Sequence, residues 1–145
     1  MYLFKTRSYF DKATGAAKKW ARSQEALTKA PRLLQNVAYS VGDSVTYWWD
    51  SATSLSSADF IGHRRYFTVL ASMDFDFTVE IAQKSRLSVS CRYDDLSDRE
   101  LFHGSGDKIT VEGGQILVCD IDEAVRIIPG SQAHVNVLHV TIEDL

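Results

Sequence analysis

The feature that most constrains this chain is a change of hydrophobic period near Pro31. From Ser8 to about Ala30 the residues Phe10, Ala13, Ala17, Trp20, Gln24 and Leu27 recur at three-to-four spacing, the signature of a helix face, with Ser8 placed to cap it. Gly15 divides this segment into two short helices. Pro31 cannot continue a helical hydrogen-bond ladder, so the helix ends at or before it. Beyond Asn36 the period falls to two, and a chain that alternates in this way builds sheets with one face buried.

Val37 to Val41 and Val45 to Trp49 read as a hairpin with Gly42 and Asp43 as its turn. Ser51 to Asp59, rich in serine, reads as a surface loop. From Phe60 to Val89 the chain is β-rich, with Phe67, Val69, Phe75, Phe77, Val79 and Ile81 keeping an almost strict alternation. The charged stretch Arg92 to Glu100, with Gly104 and Gly106 after it, reads as a second loop region. Strands resume at Lys108 to Val111, Gln115 to Asp120, Val125 to Ile128 and His134 to Ile142, separated by Gly113-Gly114 and Pro129-Gly130. Short helices followed by seven or more strands predict a mainly β, closed or double-sheet architecture with a helical N-terminal cover. No repeat or linker interrupts it, so residues 1–145 are expected to form one domain.

With 45% apolar residues the chain can bury one substantial core, and a formal charge of −3 gives it no reason to seek nucleic acid or an anionic membrane surface. No apolar run approaches the roughly 20 residues of a membrane helix, and the start Met-Tyr-Leu-Phe-Lys lacks the order of a signal peptide, so a cytoplasmic protein is expected. Cys91 and Cys119 do not form a CxxC pair. Both are read as buried free thiols rather than as a redox or zinc motif, and a nucleophilic cysteine would need a base nearby.

Several short motifs occur in a particular order: Lys18-Lys19-Trp20, Val41-Gly42-Asp43-Ser44, Gly62-His63-Arg64-Arg65-Tyr66-Phe67, Asp98-Arg99-Glu100, Glu112-Gly113 and Gly114-Gln115-Ile116. They are followed by Cys119-Asp120-Ile121, Glu123-Ala124 and Val140-Thr141-Ile142-Glu143-Asp144. In these the chain resembles the YhcH/YjgK/YiaL family over nearly its whole length. The resemblance implies a cupin-like β-sandwich or barrel and two functional precedents. One branch interconverts anomers of a free sialic acid. The other, which the chain resembles more closely, supplies accessory chains that a large β-galactosidase-type catalytic subunit needs for full activity.

Cupins place metal ligands on strand residues two apart, because alternate side chains face the same way. The positions that the resemblance assigns to the first ligand pair carry Thr68 and Leu70, and the later ligand motif falls on Ile121 to Val125, where Val125 replaces an imidazole and Glu123 remains. With His63 the one matching imidazole, no tightly bound metal is expected. His63 and Glu123 are the candidates for catalysis, His63 also reading as a pocket or interface histidine bonded to backbone. Arg65, Asp120, Asp122, Arg126 and His139 are the candidates for substrate contact. Arg64, Arg65 and Arg126 could clamp a carboxylate or a sugar hydroxyl, or pair with Asp120, Asp122 or Glu123 as structural salt bridges, the favoured reading.

His139 reads as a solvent or interface histidine. The run Asp94, Asp95, Asp98 and Glu100, interspersed with Arg92 and Arg99, reads as a solvated face rather than as a glycosidase carboxylate pair. Tyr47, Trp48 and Trp49 are consecutive on a strand, so one ring is expected in the core and an indole at the surface, as a partner contact or a sugar-stacking platform. The expected function is that of a non-catalytic accessory chain binding a large glycoside hydrolase, with self-association also plausible. The alternative is a stand-alone sugar anomerase using Glu123 and His63 as acid and base.

Overall fold

The structure, a computed structural model, describes residues 1–144. Two antiparallel six-stranded sheets face each other, and a helical layer covers the outer face of one of them. In the first sheet the strands run in the order β1 (Tyr2–Phe4), β10 (Ile116–Cys119), β5 (Tyr66–Ser72), β12 (His134–Thr141), β3 (Val45–Ser51) and β2 (Tyr39–Val41). In the second the order is β7 (Ser88–Asp94), β8 (Arg99–His103), β4 (Phe60–Gly62), β11 (Glu123–Ile127), β6 (Phe77–Gln83) and β9 (Asp107–Val111). No helix is long and apolar enough to cross a membrane.

The helical layer consists of α1 (Arg7–Thr14) and α2 (Lys18–Lys29), joined through Gly15 at φ 65°. Thr6 rather than Ser8 caps α1, its hydroxyl accepting from Tyr9 N at 3.2 Å, because the helix begins one residue before Ser8. The layer buries Phe10, Ala26 and Ala30 against Val45, Tyr47, Val69, Leu138 and Val140 of the first sheet. Burying a ring such as Phe10 contributes roughly 1.5–3 kcal/mol. The other core lies between the sheets and includes Leu70, Phe77, Val79, Leu117, Ile127 and Val135.

The alternation from Phe67 to Ile81 therefore crosses two cores. Phe67 and Val69 face the helices, whereas Phe77, Val79 and Ile81 face the opposite sheet. Phe75 belongs to neither: it is 61% exposed in the turn between β5 and β6. The continuity of the pattern is accidental, since β5 is buried on both faces and the turn after it changes sheets.

Two segments read as loops contain regular structure. Ser51 caps a short helix, α3 (Ala52–Leu55), whose Ala52 is fully buried against β3 and the inter-sheet core. The charged stretch Arg92 to Glu100 lies mostly in the β7–β8 hairpin. β7 is an edge strand exposed on both faces, so neither face demands apolar residues and no period marks it in the sequence. Cys91 on this strand is exposed, contrary to the expectation of two buried thiols, while Cys119 on β10 is buried.

Candidate functional site

A cavity of about 280 Å³ opens between the sheets beside the β7–β8 turn. Leu70, Val125, Ile127 and Val137 form its apolar wall, Trp48 and the hydroxyl-bearing Thr68 stand beside them, and the exposed Ser97 and Arg99 lie at its edge. Thr68, Leu70 and Val125, the positions to which the resemblance assigns metal ligands, thus converge on one space. Strand geometry explains the convergence. Thr68 and Leu70 alternate on β5, and the β5–β12 register sets Thr68 directly opposite His139.

Two imidazoles meet in the cavity. The ring centroids of His63 and His139 are 4.4 Å apart, and His139 lies edge-on to Trp48 at 4.9 Å and stacks with Tyr66 at 5.8 Å. Burial pulls the His63 imidazole below its ordinary value, against the opposing pull of the Asp98 carbonyl and carboxylate. Burial, reinforced by His63, pushes His139 down from 6.5 to about 3. Both rings are uncharged at neutral pH. His139 is thus an inward-facing pocket residue and not a solvent or interface histidine: its place on β12 aims it at the opposite sheet.

The support beneath His63 comes from the charged stretch that reads as solvated. Asp98 is 2% exposed and Glu100 6% exposed. Asp98 occupies a left-handed turn position, φ 50°, and its carboxylate accepts from Arg64 N and Arg65 N, each at 3.1 Å, and from Tyr93 Oη at 2.5 Å. Its carbonyl contacts His63 Nδ1 at 2.6 Å. Glu100 accepts from Arg64 Nε at 3.1 Å and Lys84 Nζ at 3.0 Å, and Lys84 also donates to the His63 carbonyl at 2.7 Å. Burial alone would raise both carboxyls, but these hydrogen bonds outweigh it and hold both below the usual range. These carboxylates are committed to structure, and the turn's closure over the His63–Arg65 backbone is what buries them.

Glu123 lies elsewhere. It accepts from Asp120 N at 2.9 Å, pairs with the Met1 amino group at 2.9 Å, and lines a separate cavity of about 370 Å³ with Ile81, Arg86 and Gly106. It starts β11, and the strand carries Val125 rather than Glu123 to the cavity that holds His63, so the two cannot act as an acid–base couple there. Asp120 and Asp122 are exposed in the turn before β11. Arg126 borders the histidine cavity, but its guanidinium lies over the Phe60 ring at 4.3 Å and pairs with Glu80 at 3.1 Å. Its partner is thus the residue directly opposite on β6, not Asp120, Asp122 or Glu123. Arg65 donates to the Asp95 carbonyl at 2.5 Å and serves the turn. Of the named candidates, His63 and His139 come together, with Arg126 at their border.

The aromatic triplet divides as strand geometry requires: Tyr47 and Trp49 join the helix-facing core and Trp48 faces the cavity. Neither indole is fully exposed, since the helical segment covers Trp49, whose Nε1 donates to the Leu33 carbonyl at 2.9 Å. Trp48 lines the cavity, edge-on to His139. Ser97 and Lys84 carry no sequence signal, and Tyr66 and Arg99 stand in the ordered motifs without being candidates for the site. An aspartate just ahead of a strand, where left-handed backbone is tolerated, was the one local signal for Asp98.

The donor set does not suit a transition metal. His63 and His139 offer two imidazoles and Thr68 a neutral hydroxyl, whereas such ions take three or four protein donors. Among the described residues no group of three or more His, Cys, Asp or Glu side chains gathers in that way.

No family model matches the chain. Among solved structures it is similar to protein NMB1881 from Neisseria meningitidis, at 10% identity over 80% of this chain and 96% of that one, with a TM-score of 0.46. It is also similar to a cupin protein, BF4112, from Bacteroides fragilis, at 11% identity over 78% of this chain and 83% of that one, with a TM-score of 0.44. The strand pairing itself defines the class: a mainly β, antiparallel double-sheet sandwich with short N-terminal helices.

Proposed function

We propose that this chain is the accessory subunit of a β-galactosidase-type glycoside hydrolase, a YhcH/YjgK/YiaL-type cupin that serves carbohydrate metabolism in a hetero-oligomer. The ordered motifs from Lys18 to Asp144 support the family reading. The observation that carries the functional one is that Thr68, Leu70 and Val125 all border the cavity yet none is a metal-binding imidazole or carboxylate. Such a pocket keeps a ligand-sized shape without the means to hold a catalytic metal, which suits a chain that orders or gates a larger enzyme's active site. The two unpaired cysteines agree with a cytoplasmic setting.

The test is a pull-down of the tagged chain from its own cell extract, with β-galactosidase assay and mass spectrometry of what accompanies it. Recovery of a large glycoside hydrolase whose rate rises when the chain is added back supports the reading. Recovery of the chain alone, with no effect on the hydrolase, overturns it.

A second reading, a sugar anomerase, is favoured by the uncharged imidazoles 4.4 Å apart in a cavity beside Trp48. Proton transfer between an anomeric hydroxyl and a ring oxygen needs a base and an acid. Uncharged His63 would take the anomeric proton as base and, as the imidazolium so formed, return it to the ring oxygen, with His139 beside it, in place of the couple of His63 and Glu123. NMR saturation exchange between α and β anomers decides it: no acceleration over buffer by the isolated chain removes this reading.

A further inference from the structure

Asp98 does two things at once. Its side chain is a buried carboxylate with both oxygens engaged, one by Arg64 N and Tyr93 Oη and the other by Arg65 N. Its backbone carbonyl lies 2.6 Å from His63 Nδ1. A carbonyl oxygen can only accept, so the proton of that hydrogen bond belongs to Nδ1, and an uncharged imidazole carries one proton. His63 Nε2 is then bare. The carboxylate clamps the segment that carries His63 to the turn that presents the carbonyl, and the left-handed φ of 50° gives that carbonyl its direction.

We propose that Asp98 is a positioning residue, which locks His63 as the Nδ1–H tautomer and so presents a bare Nε2 lone pair to the cavity shared with His139. A molecule entering that cavity meets a hydrogen-bond acceptor at His63 and must offer it a donor such as a hydroxyl. This last consequence rests on the cavity being the functional site. The tautomer does not.

The chain labelled with ¹⁵N-histidine reports the tautomer directly through long-range ¹H–¹⁵N correlations at neutral pH. The expected result is a His63 pattern with Nδ1 protonated and Nε2 unprotonated. Asp98→Gly keeps the carbonyl and tolerates the positive φ but deletes the carboxylate, and His63 is expected to lose that pattern while His103 and His134 keep theirs. Tyr93→Phe deletes one of the three donors on the carboxylate and should shift His63 the same way by a smaller amount. It decides the matter if Asp98→Gly does not fold. A protonated Nε2 in the unaltered chain overturns the proposal, as does an unchanged His63 pattern in every variant that folds. No sugar or hydrolase enters the measurement, so its failure is distinct from failure of the accessory-subunit reading.

Discussion

Replacing His139 by leucine should flatten the pH dependence of stability. In the folded chain this ring lies among Trp48, His63 and Tyr66, and burial first, then His63, push it from 6.5 to about 3, against the opposing pull of Asp98. The unfolded chain takes up a proton near pH 6.5 that the folded chain refuses until about pH 3. A folded value below the unfolded one means that the stabilisation is fully present above pH 6.5 and is lost as pH falls toward 3. At about 1.4 kcal/mol per pH unit, His139 accounts for a loss of roughly 2 kcal/mol between pH 7 and pH 5. His63, also lowered by burial, adds to the loss in the same direction. Asp74, Asp98 and Glu100 are all held below their ordinary values, and their contribution is common to the parent and the variant, so the difference between the two proteins reports His139. Urea unfolding followed by tryptophan fluorescence at pH 7 and pH 5 measures the difference. The parent should lose about 2 kcal/mol more than His139→Leu. Equal losses in the two proteins would refute the burial of an uncharged imidazole at this position.

Three further outcomes are expected. Thr68→His places a third imidazole opposite His139 in the β5–β12 register, so zinc affinity by calorimetry should rise at least about tenfold over the parent; no gain means the three rings do not converge. Gly106→Ala would bring a methyl group within 2.4 Å of the Ile81 carbonyl oxygen, and thermal unfolding should show a loss of about 1–3 kcal/mol, an unchanged midpoint arguing against this close approach. Cys91 should react at once with a thiol reagent in the native chain. Cys119, buried and with its thiol pushed well above the ordinary range, should react only after denaturation, and prompt labelling of both would contradict its burial.

Much of the fold is legible because burial imposes a period. β9 to β12 fall close to the segments that alternation marks, and α2 ends at Lys29, just ahead of Pro31, although one 3-10 turn (Ala30–Arg32) continues through the proline. Of the strands that escaped notice, β1 is three residues long at a sheet edge, β7 is exposed on both faces, and β8 alternates in burial but spends one of its two buried positions on the charged Glu100, which masks the period. The site was only partly visible for a related reason. Residue type marks His63 as a candidate, but nothing local separates Glu123, which faces another cavity, from His139, which faces this one.

By itself the sequence determined the class of fold and the residue types available at the positions that the resemblance assigns to metal ligands. Alternation and chain punctuation are local properties of the backbone, and Thr68, Leu70 and Val125 have their donor chemistry, or lack it, whatever surrounds them. Only the tertiary structure decided that His139 meets His63, that Asp98 and Glu100 are buried, and that Arg126 pairs with Glu80. These facts depend on strand register and on which sheet face a residue occupies, and both are settled by pairing partners far apart along the chain.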